Sequence, residues 1–578
     1  MKWNLDDLYT GFNDAFTNDV NKVKELIQKY NDLKLEGNIL KEYITIQENL
    51  RSLVRGLTGY CSLRTSTNVQ DREAIANMSM LRNLLNQMTL KDVLFSRYLL
   101  TIKDIDKAIK ESNLEHYTYM FNRMLSNSKR LLTEKEEVLY SKMKMVASDS
   151  WNTVQRLLTS NLMINLDGQE VTLSYIRNLA YENPQELRKK AYELELEAYK
   201  KVEDTLAMSL CNIKREVNIM CELRGYENAL EKTLESSKMS KETLDAMMSA
   251  MKDSLPKFRE YFKAKAEYLG HKNGLPFYDL FAPIGSLDKT YTYDEAKEVV
   301  IENFNSFSTK LGDFAKKAFD NDWIDVEPRK GKVGGAFCSN LTHLKQSRIL
   351  LNYTGSLSDI STLAHELGHG YHGDVISGAQ PLNTGYPMPL AETASILCEA
   401  IVMQNIQNNL EDEKELFSVL EIALQGDSQV IVDIMSRYIF ETNLIENTKE
   451  GLLDASKLNE MMLDAQKQTY GDGLDPEVMH PYMWACKGHY YNAGLNFYNF
   501  PYAFGLLYAK GLFAKYLENK EEFVKNYDAM LLLTGSASCE EVAATMGIDV
   551  TKKEFWENSL NIIKEDINKF IELSKKLK

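Results

Sequence analysis

Helical periodicity is the feature that most constrains this 578-residue chain. Apolar residues recur at helical spacing from Leu26 and Ile27 onward, and the pattern returns over 38–66 and 71–99. The chain holds only 11 prolines and 29 glycines, residues that a many-stranded protein needs in its turns. One hydrophobic core rarely grows beyond ~250–300 residues. The sequence therefore predicts a mainly α-helical fold with two or more lobes.

Two segments interrupt the helical pattern, and the first lies over 157–176. Polar and apolar residues alternate there around Asp167 and Gly168, which predicts a β-hairpin. Helical periodicity then resumes, and no low-complexity linker marks a domain boundary. We therefore expect a soft division into an N-terminal helical lobe, 1–195, and a larger C-terminal domain, 196–578.

The second interruption lies over 329–355 and differs in composition from the helical segments. RKGKVGGAFCSN at 329–340 is rich in glycine, and SRILLNYTG at 347–355 is aliphatic. Together they predict two neighbouring strands in a small sheet. Gly334 and Gly335 would let another backbone approach an edge strand closely, although a flexible glycine loop explains the same residues equally well.

Charge and cysteine usage exclude several classes of partner. The chain carries 68 basic and 83 acidic residues, a net charge of −15, which suits neither nucleic acid nor an anionic membrane. No apolar run reaches the ~18 residues of a transmembrane helix, and MKWNLDD at the start does not read as a signal peptide. Seven scattered cysteines without a CxxC pair favour a reducing compartment. We therefore predict a cytoplasmic protein.

HELGH at 365–369 is the sharpest motif. Four residues along a helix turn by ~400° and rise by ~6 Å, so His365 and His369 share a face and can converge on one metal ion. Glu366 is rotated by ~100° from His365 and can accept a proton from a water there. A pair of surface or core histidines is the alternative, but the motif uses two of only eight histidines. The sequence therefore predicts a metal site with Glu366 as its base.

Two residues compete for the place of third ligand. His372 lies ~10.5 Å along the helix from His365, too far for Zn–N bonds of ~2.1 Å from one straight helix, and this favours a packing role. Glu392 lies on the next predicted helix, which starts near Pro387, and is the better candidate. Glu399 follows on the same face and would orient a ligating imidazole. Two histidines and a glutamate leave a fourth position open, as in catalytic zinc sites, so we predict one Zn²⁺ per chain.

A third cluster lies over 480–512, where tyrosines surround His480 and His489. Aromatic stripes are usually core, and that interpretation holds for most of these rings. Neutral tyrosine and histidine donors also stabilise an oxyanion that forms during hydrolysis. We therefore expect a functional role for a few residues of the cluster.

These motifs together resemble the M3 metallopeptidases, most closely the oligoendopeptidase F branch. The resemblance rests on HELGH, on AETAS with a second glutamate seven residues after its own, and on the late His/Tyr segment. Shorter matches are WNLDDLY, RGYENAL, GLPFYDLFAP, GGAFC and ILLNYTG. It implies two helical lobes enclosing a deep channel, with zinc at its floor beside a small sheet. It further implies a zinc-dependent metalloendopeptidase that cuts oligopeptides internally, with 196–578 as the catalytic domain.

The resemblance also implies roles for individual residues. His489 and Tyr498 match the family's late histidine and its oxyanion tyrosine. Tyr502 substitutes for a family tyrosine that falls on Pro501. Another family tyrosine falls on Gly494, so its contact is either absent or supplied by Tyr491. A substrate backbone would pair as an added strand with the glycine-rich segment. That segment comprises Gly334, Gly335, Ala336, Phe337 and Cys338.

Two rival functions stay open from sequence alone. A zinc exopeptidase, such as a dipeptidyl carboxypeptidase, would need a site that clamps a free peptide terminus. A non-catalytic peptide-binding protein would not need the carboxylate of Glu366. Side-chain preference, physiological substrate, oligomeric state and the choice of zinc over another divalent metal also stay open.

Overall fold

The computed structural model of the chain describes residues 1–285 and 290–578. Helices dominate these residues, which confirms the prediction of a mainly α fold. The helices of the first half are α1 (Asp14–Asp32), α2 (Leu40–Thr67), α3 (Arg72–Asn86), α4 (Thr89–Thr101), α5 (Ile105–Glu111), α6 (Thr118–Ser128), α7 (Glu134–Val146), α8 (Ser148–Asn161), α9 (Leu173–Asn178), α10 (Gln185–Lys200), α11 (Glu203–Leu223), α12 (Ala229–Ser237) and α13 (Lys241–Tyr268).

Helices also build most of the second half. They are α14 (Tyr293–Phe307), α15 (Thr309–Asp320), α16 (Leu357–Ile376), α17 (Met388–Ala391), α18 (Thr393–Asn409), α19 (Glu413–Ser428), α20 (Ile434–Asn447), α21 (Ala455–Tyr470), α22 (Met483–Cys486), α23 (Phe500–Glu518), α24 (Lys520–Leu533), α25 (Cys539–Ala544) and α26 (Lys553–Lys576). No helix in the described ranges combines the length and apolarity needed to cross a bilayer.

A short hairpin lies inside the segment where alternation predicts one. Strands β1 (Met163–Leu166) and β2 (Gln169–Thr172) pair in antiparallel register. Asp167 and Gly168 connect them with φ values of 54° and 89°, the left-handed conformation that a two-residue type I′ turn requires.

The predicted small sheet is present and gains a third strand. Strands β3 (Ile324–Asp325), β4 (Phe337–Leu341) and β5 (Gln346–Leu350) lie in the order β3-β5-β4. β4 and β5 are antiparallel, whereas β3 pairs with β5 in parallel. β4 is therefore an edge strand, one of whose sides is not paired within the sheet.

The chain divides into two compact units, each built from three stretches. Unit 1 comprises Met1–Leu131, Asp288–Ile406 and Leu512–Ile548. Unit 2 comprises Leu132–Leu287, Gln407–Gly511 and Asp549–Lys578. The sequence-based boundary between 195 and 196 stays a prediction.

Each unit has its own buried interior. In unit 1, Asn13 caps α1, and the apolar face of that helix buries Val20, Val23 and Ile27. In unit 2, α13 packs against α26, where the rings of Tyr261 and Phe570 lie 5.0 Å apart. All seven cysteines are free thiols.

Candidate active site

Helix α16 carries the HELGH motif in unit 1. Ser356 and Asp359 form a capping box at its start, in which each side chain accepts a hydrogen bond from the backbone N–H of the other. Gly368 faces the chain around Ala394, and a Cβ added there would lie 2.6 Å from the Ala394 carbonyl oxygen. Glycine at this position therefore lets the start of α18, and Glu392 with it, approach the histidines closely.

The three predicted ligands converge. One donor atom from each of His365, His369 and Glu392 lies within 4.8 Å of the other two. Glu392 Oε2 is 3.3 Å from His365 Nε2 and 3.4 Å from His369 Nε2. These distances exceed the about 2.7–2.9 Å of a charge-assisted hydrogen bond. They match the roughly 3.4 Å between two ligands that each lie ~2.1 Å from a tetrahedral zinc ion, so the donors fit such an ion.

The second predicted helix differs in detail from the expectation. The helix is not continuous from Pro387, because the backbone turns at Glu392 between α17 and α18. Both predicted carboxylates nevertheless face His365. Glu399 Oε2 lies 3.2 Å from His365 Nδ1, and Ser361 Oγ donates to the other Glu399 oxygen at 2.8 Å. Glu399 can thus hold the imidazole so that Nε2 points toward Glu392.

Electrostatics within the cluster reflect its excess of carboxylates. Burial alone would lower the pKa of His365, but its interactions with Glu392 and Glu399 outweigh burial and raise the pKa to about 10. Burial alone would raise the pKa of Glu392, yet the neighbouring His365 and His369 hold that pKa well below its usual range. Binding of a cation by these donors would therefore compete with protonation of the imidazoles.

Glu366 is buried beside the cluster. Its side-chain oxygen Oε2 has no hydrogen-bond partner among the described residues. Burial raises the pKa of this carboxyl group, which the charges of His365 and His369 partly oppose. Burying a carboxylate oxygen without a hydrogen-bond partner normally costs free energy. An oxygen without a partner is able to accept a proton, as a general base must.

The predicted substrate-pairing segment leads into edge strand β4. Gly334 and Gly335 are exposed, and a Cβ at either position would meet no described heavy atom within 4 Å. Asn352 Nδ2 donates to the carbonyl oxygens of Val333 and Gly335 and fixes this turn. Ala336 and Phe337 follow at half-buried positions, so the backbone of the segment is open to a partner.

His372 takes part in packing contacts. Its ring stacks on Tyr386 at 4.0 Å, and its Nε2 lies 2.9 Å from Thr534 Oγ1. It is not part of the three-residue cluster.

The late aromatic cluster lies in unit 2. A short helical turn, Gly488–Tyr491, carries His489, and α23 begins at Phe500. The rings of His489 and Tyr498 lie 6.0 Å apart, and those of Tyr498 and Tyr502 lie 5.5 Å apart. The structure therefore brings these three predicted residues together.

Burial and backbone conformation distinguish the residues around this group. Tyr491 is fully buried, and its hydroxyl has no hydrogen-bond partner among the described residues. The chain leaves helical geometry between 492 and 499, where Phe497 has a φ of 51°. Burial, followed by the charges of Arg437 and Lys214, lowers the pKa of His489 to about 3, so this imidazole is neutral near pH 7.

Sequence reasoning missed the buried network that frames Tyr498. The Lys214 ammonium pairs with Glu441 at 2.8 Å and lies 2.9 Å from Asn496 Oδ1, and both charged side chains are fully buried. Asn499 Nδ2 donates to the second Glu441 oxygen at 3.1 Å. Asn496 and Asn499 thus hold the loop on both sides of Tyr498. The available signal was a charged residue on the otherwise apolar face of each helix, α11 and α20.

A cluster of two imidazoles and a carboxylate, with a second, buried carboxyl group beside it, is typical of metallohydrolases. Comparison with known sequences narrows that class. The family model "Peptidase family M3" matches residues 178–562, and the model "Oligopeptidase F" matches residues 100–163. The chain belongs to peptidase family M3 and is a metalloendopeptidase. This confirms the resemblance derived from the sequence motifs.

Individual relatives agree with the family. The chain is 25% identical over 596 residues to oligopeptidase PepF of Bacillus subtilis, covering 100% of this chain and 88% of that protein. It is 24% identical to an oligoendopeptidase F homolog of Borreliella burgdorferi, covering 99% and 98%. Among solved structures, oligoendopeptidase-F from Enterococcus faecium superposes with a TM-score of 0.73 at 19% identity, covering 97% of this chain and 99% of that one.

Proposed function

We propose that the protein is a zinc-dependent endopeptidase that cuts internal bonds of short oligopeptides, with Glu366 as its general base. The observation that carries the proposal is the convergence of His365, His369 and Glu392 beside the unpartnered carboxylate oxygen of Glu366. The names of the relatives, oligopeptidase and oligoendopeptidase, support oligopeptides as the substrate class.

His365, His369 and Glu392 would hold the zinc ion, and nitrogen and carboxylate donors suit that metal. Bound there, zinc would lower the pKa of a water molecule toward ~7 and polarise the scissile carbonyl. Glu399 would keep His365 in the tautomer that presents Nε2 to the metal, because it accepts the proton of Nδ1.

Glu366 moves the proton in this proposal. Its free Oε2 accepts a proton from water as that water attacks the peptide carbonyl, and the same carboxyl group then delivers it to the leaving amine. Burial supports this role because a raised pKa makes the carboxylate a better base.

His489, Tyr498 and Tyr502 are the proposed donors to the oxyanion. A neutral imidazole and a phenol donate hydrogen bonds without adding a charge to the bound substrate. The lowered pKa of His489 and the contact of its ring with Tyr498 support the assignment. Tyr491 has weaker support, since its side chain is fully buried.

The substrate backbone would add to the glycine-rich segment, residues 334–338, as an extra strand. Main-chain hydrogen bonds read no side chains, so this mode favours broad sequence tolerance. We further propose 196–578 as the catalytic domain, because every proposed catalytic and metal-binding residue lies within it. A cytoplasmic location stays a prediction that the seven free thiols support.

Digestion of a synthetic peptide pool of mixed length tests the function. Mass spectrometry of the products should show internal cuts in short peptides and none in folded proteins. Glu366→Gln should abolish these cuts, whereas Glu42→Gln, at an exposed position of α2, should leave them in place. Sequential removal of terminal dipeptides would favour the exopeptidase, and cuts that persist in Glu366→Gln would contradict the mechanism.

A further inference from the structure

Two arginines in unit 1 lack the partners that buried cations normally have. Arg51 and Arg55 lie one turn apart on α2 and are half-buried. Burial lowers the pKa of both guanidinium groups, and the charge of Arg51 lowers that of Arg55 further. Within 1–285 and 290–578, no carboxylate pairs with either one, and Arg51 Nε has no hydrogen-bond partner.

The nearest acidic side chain on α2 is engaged elsewhere. Glu48 accepts a hydrogen bond from the hydroxyl of Tyr117 at 2.5 Å. Arg55 Nε donates to the carbonyl oxygen of Asn340 on β4 at 3.0 Å, so part of Arg55 is used to hold that strand. The guanidinium of Arg51 and the remaining donors of Arg55 stay available.

Two cavities meet at the arginine pair. The smaller, about 200 Å³, has a mixed polar and apolar lining and is also bounded by Asn340, Thr384 and Tyr386. The larger, about 480 Å³, is mainly apolar and is bounded by Leu50, Val54, Leu85, Met88 and Leu382. Among the residues that the structure describes, none that lines either cavity is acidic. A pair of cationic side chains beside an apolar pocket is the arrangement that recognises an anion with an apolar body.

Energetics favour a ligand over a purely structural role. Leaving two adjacent cations partly buried without a counter-ion costs free energy, and the chain has 83 acidic residues from which a partner could have been placed. Arginine presents a planar fork of N–H donors that matches a carboxylate with two parallel hydrogen bonds.

We infer that Arg51 and Arg55 bind the C-terminal carboxylate of an oligopeptide, with the side chain of its last residue in the apolar cavity. The inference rests on the proposed function, since it concerns the end of the same substrates. The arginine pair and the metal cluster share strand β4: Arg55 binds the Asn340 carbonyl, and Asn340 Nδ2 donates to the His369 carbonyl at 3.0 Å. A clamp on a free terminus is also what the exopeptidase alternative needs, so the peptide-pool digestion decides whether an anchored peptide is cut internally or loses its C-terminal dipeptide.

A matched pair of short peptides that end in leucine tests the inference. One peptide has a free carboxylate and the other a C-terminal amide, and both are titrated by calorimetry into full-length Glu366→Gln protein, which should bind without turnover. The free carboxylate should bind about 10–100-fold more tightly, the value of charge-assisted hydrogen bonds. Equal binding of the two peptides would overturn the inference.

Further substitutions in the Glu366→Gln protein test whether Arg51 causes the preference for the free carboxylate. Adding Arg51→Gln should bring the carboxylate-to-amide ratio close to one, and Arg51→Lys should give an intermediate ratio, because lysine keeps the charge and loses the fork. Arg82→Gln, at an exposed position of α3, should keep the full ratio. A ratio that survives Arg51→Gln, or inorganic phosphate that competes as well as the free peptide, would contradict a peptide-terminus site.

Thermal unfolding separates binding from structure. Arg51→Gln breaks no ion pair, so its Tm should equal or exceed that of the unaltered protein, whereas a structural arginine would lower it. Wild-type turnover then separates the two proposals. A protein that prefers the carboxylate without cleaving any peptide refutes the proposed function alone, and one that cleaves both peptides without preference refutes the arginine site alone.

Discussion

Two buried charge assemblies in this protein have opposite character. In unit 2, Lys214 and Glu441 are fully buried and satisfied by each other and by the amides of Asn496 and Asn499. In unit 1, the cluster around His365 is not fully hydrogen-bonded. Glu366 Oε2 has no hydrogen-bond partner among the described residues, and His365 Nε2 lies too far from Glu392 Oε2 for a short hydrogen bond. A buried network whose hydrogen bonds are all made can hold a loop in place, whereas one with unpaired polar atoms can bind a ligand.

The largest expected effect comes from the unsatisfied assembly. Glu366→Gln preserves the shape of the side chain and removes the base, so kcat should fall by about 10²–10⁴. Metal content should stay unchanged, because Glu366 is not a proposed ligand. Steady-state kinetics on a quenched-fluorescent peptide, with elemental analysis of the same samples, would measure both. A near-normal kcat would remove Glu366 from the mechanism.

Breaking the satisfied assembly should cost stability first. Lys214→Met leaves Glu441 buried without its cation, and such a loss costs about 3–5 kcal/mol of unfolding free energy. Removing both charges with Lys214→Met and Glu441→Leu should recover much of it. Denaturant unfolding measures both variants. A double variant no more stable than the single one would mean that the pair itself does not account for the loss.

Tyr498→Phe sharpens the comparison within the loop that this network holds. It removes only a hydroxyl, so kcat should fall by about 10²–10³ with KM nearly unchanged if the phenol donates to the oxyanion. Tyr490→Phe, at a buried neighbouring position, serves as the matched control and should change kcat little. A Tyr498→Phe enzyme with kcat within a few fold of the parent would make Tyr498 a packing residue.

A smaller effect is expected from the residue that orients a ligand. Glu399→Gln weakens the contact with His365 Nδ1 without touching the proposed ligands, so zinc affinity should fall by about 10–100-fold. Competition with a fluorescent chelator measures the affinity. Ser361→Ala, which removes the hydroxyl bound to the other Glu399 oxygen, should have a weaker effect of the same sign. If the zinc affinity of Glu399→Gln equals that of the unaltered protein, Glu399 does not orient His365.

Sequence alone predicted what depends on local spacing. The pairing of His365 with His369 follows from helical geometry within one segment, and so does the mainly helical fold. The turn at Glu392 and the close approach at Gly368 were not predictable, because they depend on how two helices pack. The same holds for the parallel pairing of β3, which joins distant segments of the chain.

The remaining site features are properties of tertiary structure. Between His489 and Tyr498 the chain passes through Phe497 in a left-handed conformation, which no local preference of phenylalanine indicates. The missing partners of Arg51 cannot be seen in a sequence with 83 acidic residues. Whether an arginine lacks a carboxylate partner depends on which residues surround it in the folded chain.

Metal content gives the most direct test of the cluster formed by His365, His369 and Glu392. Elemental analysis of the purified protein should find about one zinc per chain, the stoichiometry of a catalytic zinc site. Glu392→Ala should lose the metal, while His489→Ala should retain it. Full zinc occupancy in Glu392→Ala, or loss of zinc from His489→Ala, would contradict the proposed coordination.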